Sequence, residues 1–334
     1  MPDLVDRVDA WQRRHPVIAM PLGVTYKFFD DQGGYLAAAI TYYAFIAIFP
    51  QMLIGSSVLG FALQGHPALE KEILNSALGQ FPIVGDQLGR PEGIQGSTSA
   101  VIIGTVTALY GVIGLGQAAH NAVNVCWAIP RNSRLNPITS RIRSLVWIVG
   151  AGLALVFIAV ITSLSSHVDV FGLNLGSDVG WLAVVLSVVL NTGVLSSMMR
   201  LSTPQHDRVR DVLPGAAFIA VLWQALQVLG GAYVEHVIKK ANNMNAVFAL
   251  VLGLVALIYI ATVVAMLGLE LNVVVDKRLY PRALLTPFTD AVHLTEADKR
   301  VYRESAQAQR HKGFEQVHVD FGDQAEAGPP PAGS

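Results

Sequence analysis

Apolar positions along the chain fall into long blocks rather than scattered pairs. Six stretches, 32–69, 101–130, 144–168, 179–199, 212–234 and 241–269, carry no Lys or Arg and almost no acid. Each is at least about 20 residues long, enough helix to cross a hydrocarbon layer of roughly 30 Å. The blocks predict spans at about Tyr35–Leu63, Ala100–Trp127, Leu145–Ser165, Val179–Met199, Pro214–Val234 and Ala246–Val275. The fold class expected is all-α: a polytopic integral membrane protein of six transmembrane helices with short amphipathic extramembrane helices. Pro50 falls near the middle of the first span, where a lost hydrogen bond predicts a kink or break. Pro214 is placed in the first turn of the fifth span, where its missing N–H costs nothing.

The flanks read differently. Residues 1–34 form a cytoplasmic or interfacial segment in which Leu4, Val5, Val8 and Trp11 recur on one face. Trp11, Tyr26 and Phe28 suit the membrane interface, and simple packing against the bundle suits them equally. Residues 35–276 make the transmembrane domain. The connection 64–99 predicts a short outer helix, with Leu69, Ile73, Leu74, Leu78 and Phe81 at helical spacing. Residues 277–313 predict a cytoplasmic helical segment with Pro287 near the helix start, and 314–334 a disordered tail.

Composition agrees: 52% of the 334 residues are apolar, 14% are charged, and mean hydropathy is +0.47. The net charge of −1 conceals a strong asymmetry. Of 23 Lys and Arg, 19 fall in the N-terminal segment, the 128–144 and 200–211 connections and the region from Lys277 onward. The alternate connections hold the other four, so both termini are expected in the cytoplasm. A cleavable signal peptide is not expected, because Asp3, Asp6 and Asp9 stand where a basic head and apolar core would be needed. The single cysteine, Cys126, leaves no partner for an intrachain disulfide or a thiolate cluster, and its apolar surroundings suggest packing.

Candidate chemistry rests on polar residues that lipid penalises. Glu270 lies near the cytoplasmic end of the sixth span, with Asn272, Asp276 and Lys277 close enough in sequence for local pairing. Gln117, His120, Asn121 and Asn124 share one face of the second span. Tyr42 and Tyr43 precede Pro50, and Asn191, Gln224 and Gln227 add further amides. These positions, with Pro50 and without Asp276 and Lys277, are the twelve of the candidate polar cavity or transport path; interhelical hydrogen bonding is the competing reading for the polar side chains. Catalytic, metal and cofactor-binding residues are not expected. The nine histidines never form HxH or HExxH, and neither a phosphate-binding glycine loop nor a Gly-x-Ser-x-Gly elbow is present. ATP-driven work is therefore unexpected, and Arg131, Arg134, Arg141 and Arg143 are explained by topology rather than nucleic acid.

The order of motifs resembles the YihY/BrkB family of bacterial inner-membrane proteins. The marks are AAAITYYAFIAIFP, GLGQAAHNAVNVCW, DVLPGAAFIAVLWQALQ and the run from YVEHVIKKANNMNAV to LGLELNVVVD, covering roughly 20–280. The resemblance implies six transmembrane helices and cytoplasmic ends. Ala47 and Ile48 stand where that pattern often has a small hydroxyl residue, and Asn245–Ala246 where it often has Tyr–Gly. Members have carried the name ribonuclease BN, an attribution regarded as mistaken, and others are associated with serum resistance or envelope lipid export. The resemblance carries no catalytic residue onto this chain.

Two functional readings follow. The leading one is a non-ATP-driven transporter or flippase-like protein for an envelope lipid or amphipathic anion, without a cofactor, in the bacterial inner membrane. Gln117, Asn121, Asn124 and Gln224 would meet a polar head, Tyr42 or Tyr43 would line its path, and Glu270 would gate or exchange a proton. The alternative is a non-catalytic scaffold or accessory protein in envelope biogenesis. The partners expected are membrane lipids, an anionic or lipid-linked substrate, and a protein partner or second copy through the C-terminal region, with no nucleic acid. An intramembrane or interfacial enzyme is a third and weaker reading.

Overall fold

The computed structural model describes residues 2–62, 98–134, 178–202, 209–238, 243–288 and 292–322, with isolated positions at 136, 139, 142 and 150. The expected third span, most of the outer 64–99 connection and the last twelve residues lie outside these. The described residues are all-helical. In chain order the α-helices are α1 (Pro2–Arg13), α2 (Pro16–Asp30), α3 (Gly33–Ala62), α4 (Thr98–Cys126), α5 (Asp178–Ser202), α6 (Val209–Tyr233), α7 (Asn243–Asp276) and α8 (Glu296–Ala308). Two of them, over Arg210–His236 and Phe248–Asp276, are long and apolar enough to cross a membrane.

α7 is the hub, packing on α2, α3, α4 and α6, while α3 pairs with α4 and α5 with α6. Its inward face carries Leu254, Met266, Glu270, Val273 and Val274, all buried; Phe248, Leu252, Val255, Tyr259 and Ile260 point outward. The largest apolar cluster brings Val24 of α2, Ala37 of α3, Val123 of α4 and Val301 of α8 around the end of α7. Small residues set the approach of α6 and α7. A Cβ on Gly215 would fall 2.0 Å from the Gly268 carbonyl oxygen, and one on Gly268 would meet Ile219 at 2.4 Å. Close backbone contact of this kind replaces the hydrophobic drive that lipid removes.

Several expected boundaries move. α3 runs helical through Pro50 without a break, the freed backbone being tolerated inside a packed apolar helix. α6 starts at Val209, so Pro214 sits inside the helix rather than in its first turn, behind Asp211, whose charge suits the N-terminal dipole. The C-terminal helix begins nine residues after Pro287, at Glu296. Thr295 and Asp298 form a reciprocal capping box there, a stronger start signal than the proline. α1 turns a polar residue toward the rest of the chain. Val8 and Trp11 are about half exposed, whereas Gln12 is buried and donates to the Arg282 carbonyl at 2.6 Å. Residues 314–322 have no regular structure, and Phe321 lies under Arg303.

Candidate functional site: a buried charge centre where α2 meets α7

α2 ends against α7, and the approach is close: Gly23 would place a Cβ 3.2 Å from the Leu279 carbonyl oxygen. One helical turn beyond Gly23, Lys27 points into the bundle and is buried. Its ammonium bonds to Asp31 in an i, i+4 pair, donates to the Cys126 carbonyl at 3.0 Å, and lies 3.6 Å from a Glu270 oxygen. Glu270 is fully buried, and neither of its oxygens receives a hydrogen bond from a donor among the described residues. Oxygens of Asp31 and Glu270 and the Cys126 sulfur lie within 4.8 Å of one another. Such a donor set could serve a divalent cation. Here the Lys27 ammonium already stands among the three residues and supplies the positive charge.

Burial works against the Lys27 ammonium, but Glu270 and Asp31 outweigh it and raise its pKa. Burial and then the Glu270 charge push the Asp31 carboxyl up, to about 8, against the pull of Lys27. A water-sized cleft of about 40 Å³ reaches this centre, lined by Lys27, Asp31, Arg134, Glu304, Ser305 and Gln309 among others. Arg134 is held across its mouth by bonds to the Ile129 carbonyl and the Asn121 side chain.

A second buried centre lies alongside. Arg282, fully buried, bonds to Asp298 and reaches Asp30 at 2.9 Å, between the rings of Tyr26 and Tyr302. Asp298 also accepts from the Ala283 N–H at 3.0 Å, the Thr295 N–H at 2.8 Å and the Thr295 hydroxyl at 2.7 Å. Lys277 adds a third tie, donating to the Trp127 carbonyl and to Glu304. Together these fasten α8 and the 277–288 segment to the ends of α2, α4 and α7.

The expected site residues do not gather at one place. Glu270 joins the centre, but its partner is Lys27 of α2 rather than Asn272, Asp276 or Lys277. Asn272 accepts from the Gly215 N–H at 2.7 Å and donates to Met199, tying α7 to α6 and α5. Asn121 is exposed and held by Arg134, with Gln117, His120 and Asn124 half-buried on the same helix. Asn191 bonds within its own helix to Ser187. Tyr42 packs edge-on against Tyr43, which in turn meets Tyr110 of α4. Gln224 and Gln227 are half-buried on α6, whose main neighbours are α5 and α7. The side chain of Pro50 lies outside the described residues. Sequence reasoning missed Lys27, Asp31 and Arg282. The usable signal was a lysine in the otherwise apolar run Val17–Phe29, four residues before an aspartate.

Helices of membrane-spanning length gathered around a buried acid–base centre define an all-helical membrane protein. The chain belongs to the virulence factor BrkB family, whose profile matches residues 24–290. It is 24% identical over 266 residues to inner membrane protein YhjD of Escherichia coli (strain K12), covering 74% of this chain and 78% of that one. It is 23% identical over 267 residues to an uncharacterized protein of Dickeya dadantii (strain 3937), covering 74% and 80%. No solved structure matches.

Proposed function

We propose that the chain is a non-enzymatic, non-ATP-driven transporter or flippase-like protein of the bacterial inner membrane, moving an envelope lipid or amphipathic anion. Six spans with both termini in the cytoplasm are part of this proposal, supported by the six apolar blocks and the 19 to four division of basic residues. The observation that carries the reading is Glu270, a carboxyl group buried inside a membrane-length helix 3.6 Å from Lys27, with no backbone or hydroxyl donor on either oxygen among the described residues. Ionisable groups at such depth are costly and are kept where charge or protons are handled. Membrane lipids are the expected partners, and nucleic acid is not.

The test is reconstitution of the full chain in anionic vesicles, with flux of labelled headgroup lipids followed for wild type and Glu270→Gln. Flux that falls in the variant while insertion persists supports the reading; equal flux removes Glu270 from it, and no flux in wild type removes transport. One set of contacts favours the scaffold alternative: Asn272 and Asn191, expected in a cavity, are engaged in structural hydrogen bonds. Under that alternative, deleting residues 286–334 releases a co-purifying partner.

A further inference from the structure

We propose that Asp31 and Glu270 form a proton-sharing carboxyl pair, loaded from the cytoplasmic side through the cleft beside α8. The proposal deepens the transport reading by naming the second acid and the route, and rests on that reading for what the proton is used for and for the side of the membrane that α8 faces.

The argument begins with charge and hydrogen-bond balance. One buried ammonium, Lys27, stands against two buried carboxyl groups, and the side chains of Asp31 and Glu270 are 6% and 0% exposed. Two carboxylates so close cannot both ionise in a low-dielectric site against a single cation. The neighbouring centre has the same formal count, with Arg282 facing Asp30 and Asp298, and resolves it differently. Asp298 accepts from two backbone N–H groups and a hydroxyl besides its bond to Arg282. Glu270 has none of these donors. Asp31 already takes a bond from Lys27, and the Cys126 thiol can offer Glu270 only one weak donor, so a proton held between the two acids is what leaves Lys27 to balance one negative charge.

Every charged or titratable group packed on the pair fits this assignment. From α2 come Lys27, already counted, and Asp30, turned to Arg282. From α4 comes Cys126, whose sulfur is within 4.8 Å of both acids. From α7, Lys277 is occupied by Glu304 of α8 at 2.7 Å. From the segment after α4, Arg134 sits at the cleft, where a cation opposes leakage of other cations but leaves water free to enter. Asp31 belongs to both the cleft wall and the pair, whereas Glu270 is not among the cleft's lining residues. Asp31 is thus the entry point and Glu270 the inner acceptor.

The experiment is infrared spectroscopy of the full chain in lipid, following the carboxylic-acid carbonyl band between about pH 6 and about pH 10. Wild type should show one such acid that ionises across this range. Asp31→Asn and Glu270→Gln, each neutral and close in shape to a protonated acid, should each remove the band, since Lys27 then balances the one carboxylate left. A band that survives both variants, or a wild type with no acid ionising in this range, overturns the pair. Ser305→Trp, at the exposed cleft mouth, tests the route. It should keep the band and slow its hydrogen–deuterium exchange about tenfold or more; unchanged exchange overturns cytoplasmic loading. The readout needs no flux, so a titrating pair in a protein that moves no lipid would sink the transport reading alone.

Discussion

Lys27 of α2 and Glu270 of α7 face each other at 3.6 Å, 243 positions apart in the chain, and both side chains are buried. The pair, with Asp31 beside it, joins the N-terminal segment to the hub helix through charge. Removing Lys27 leaves Asp31 and Glu270 in a dry site without their cation, which costs about 3–5 kcal/mol, whereas removing Glu270 as well leaves only Asp31, which can keep a proton, and costs far less. Lys27→Met should therefore lower the thermal stability of the detergent-solubilised protein sharply. Lys27→Met combined with Glu270→Leu should recover most of that loss. Additive losses in the double variant would mean that the pairing energy lies elsewhere.

How much of this was legible in the sequence depends on the kind of signal. Blocks of apolar residues marked α3, α4, α5, α6 and α7, because membrane-length burial leaves a continuous record in composition. The Glu270 side chain was conspicuous for the same reason, a lone acid in an apolar run. Its partner was not, because Lys27 lies in a segment short enough to read as interfacial, and nothing local says that α2 docks against the end of α7. Arg282 was hidden similarly: counted as one of eight basic residues after the last span, it reads as topology until Asp30 and Asp298 are brought to it. The amides failed in the opposite sense. Asn272 looked like a cavity residue, but the close approach at Gly215 and Gly268 turns it into a clasp between helices.

The raised pKa of Asp31 gives stability a pH dependence whose sign follows from proton counting. Between the ordinary aspartate value near 4 and about 8, the folded chain holds a proton on this group that the unfolded chain has lost. Stability contributed by Asp31 is thus fully present below about pH 4, declines as pH rises, and is lost once pH passes about 8. Thermal unfolding of purified protein across this range should show that decline in wild type. Asp31→Asn cannot lose the proton and should have a flatter profile, with the difference between the two proteins largest on the alkaline side. Parallel profiles would show that Asp31 does not titrate in the folded state.

The α6–α7 crossing makes a prediction independent of charge. A Cβ at Gly215 meets the Gly268 carbonyl oxygen at 2.0 Å, which backbone alone must relieve, and the same substitution pushes on Asn272 at 2.6 Å. Overpacking of this kind costs about 1–3 kcal/mol or more when backbone has to shift. Gly215→Ala should destabilise strongly and weaken the Asn272 bond to the Gly215 N–H. Gly268→Ala should do less harm, because its nearest obstacle at 2.4 Å is the Ile219 side chain, which can turn away. Gly231→Ala, with nothing within 4 Å of its Cβ, should be neutral or slightly stabilising. Melting temperatures of the three variants in one detergent would check the order; equal effects at all three sites would contradict the crossing.

Arg282 holds the C-terminal segment by a geometry that a lysine cannot copy. Its guanidinium bonds to Asp298, reaches Asp30 at 2.9 Å, and lies 6.0 Å and 5.6 Å from the ring centres of Tyr26 and Tyr302. A planar fork can serve two carboxylates and two aromatic faces at once, while an ammonium on a thinner stem acts as a point charge. Arg282→Lys should keep the charge yet loosen the 277–288 segment and α8, and Arg282→Ala should do so further by leaving Asp298 and Asp30 without their cation. Thr295→Ala removes one acceptor and one donor at the α8 cap and should cost about 0.5–2 kcal/mol, a smaller loosening than either arginine variant. Amide hydrogen exchange over residues 279–308 would rank the three. Exchange at the buried α8 positions Ala297 and Val301 should rise from Thr295→Ala through Arg282→Lys to Arg282→Ala, while the interior of α7 around Leu254 stays protected. Protection lost equally along α7 would show that the strap is part of the bundle's global stability rather than a local fastening at the end of α7.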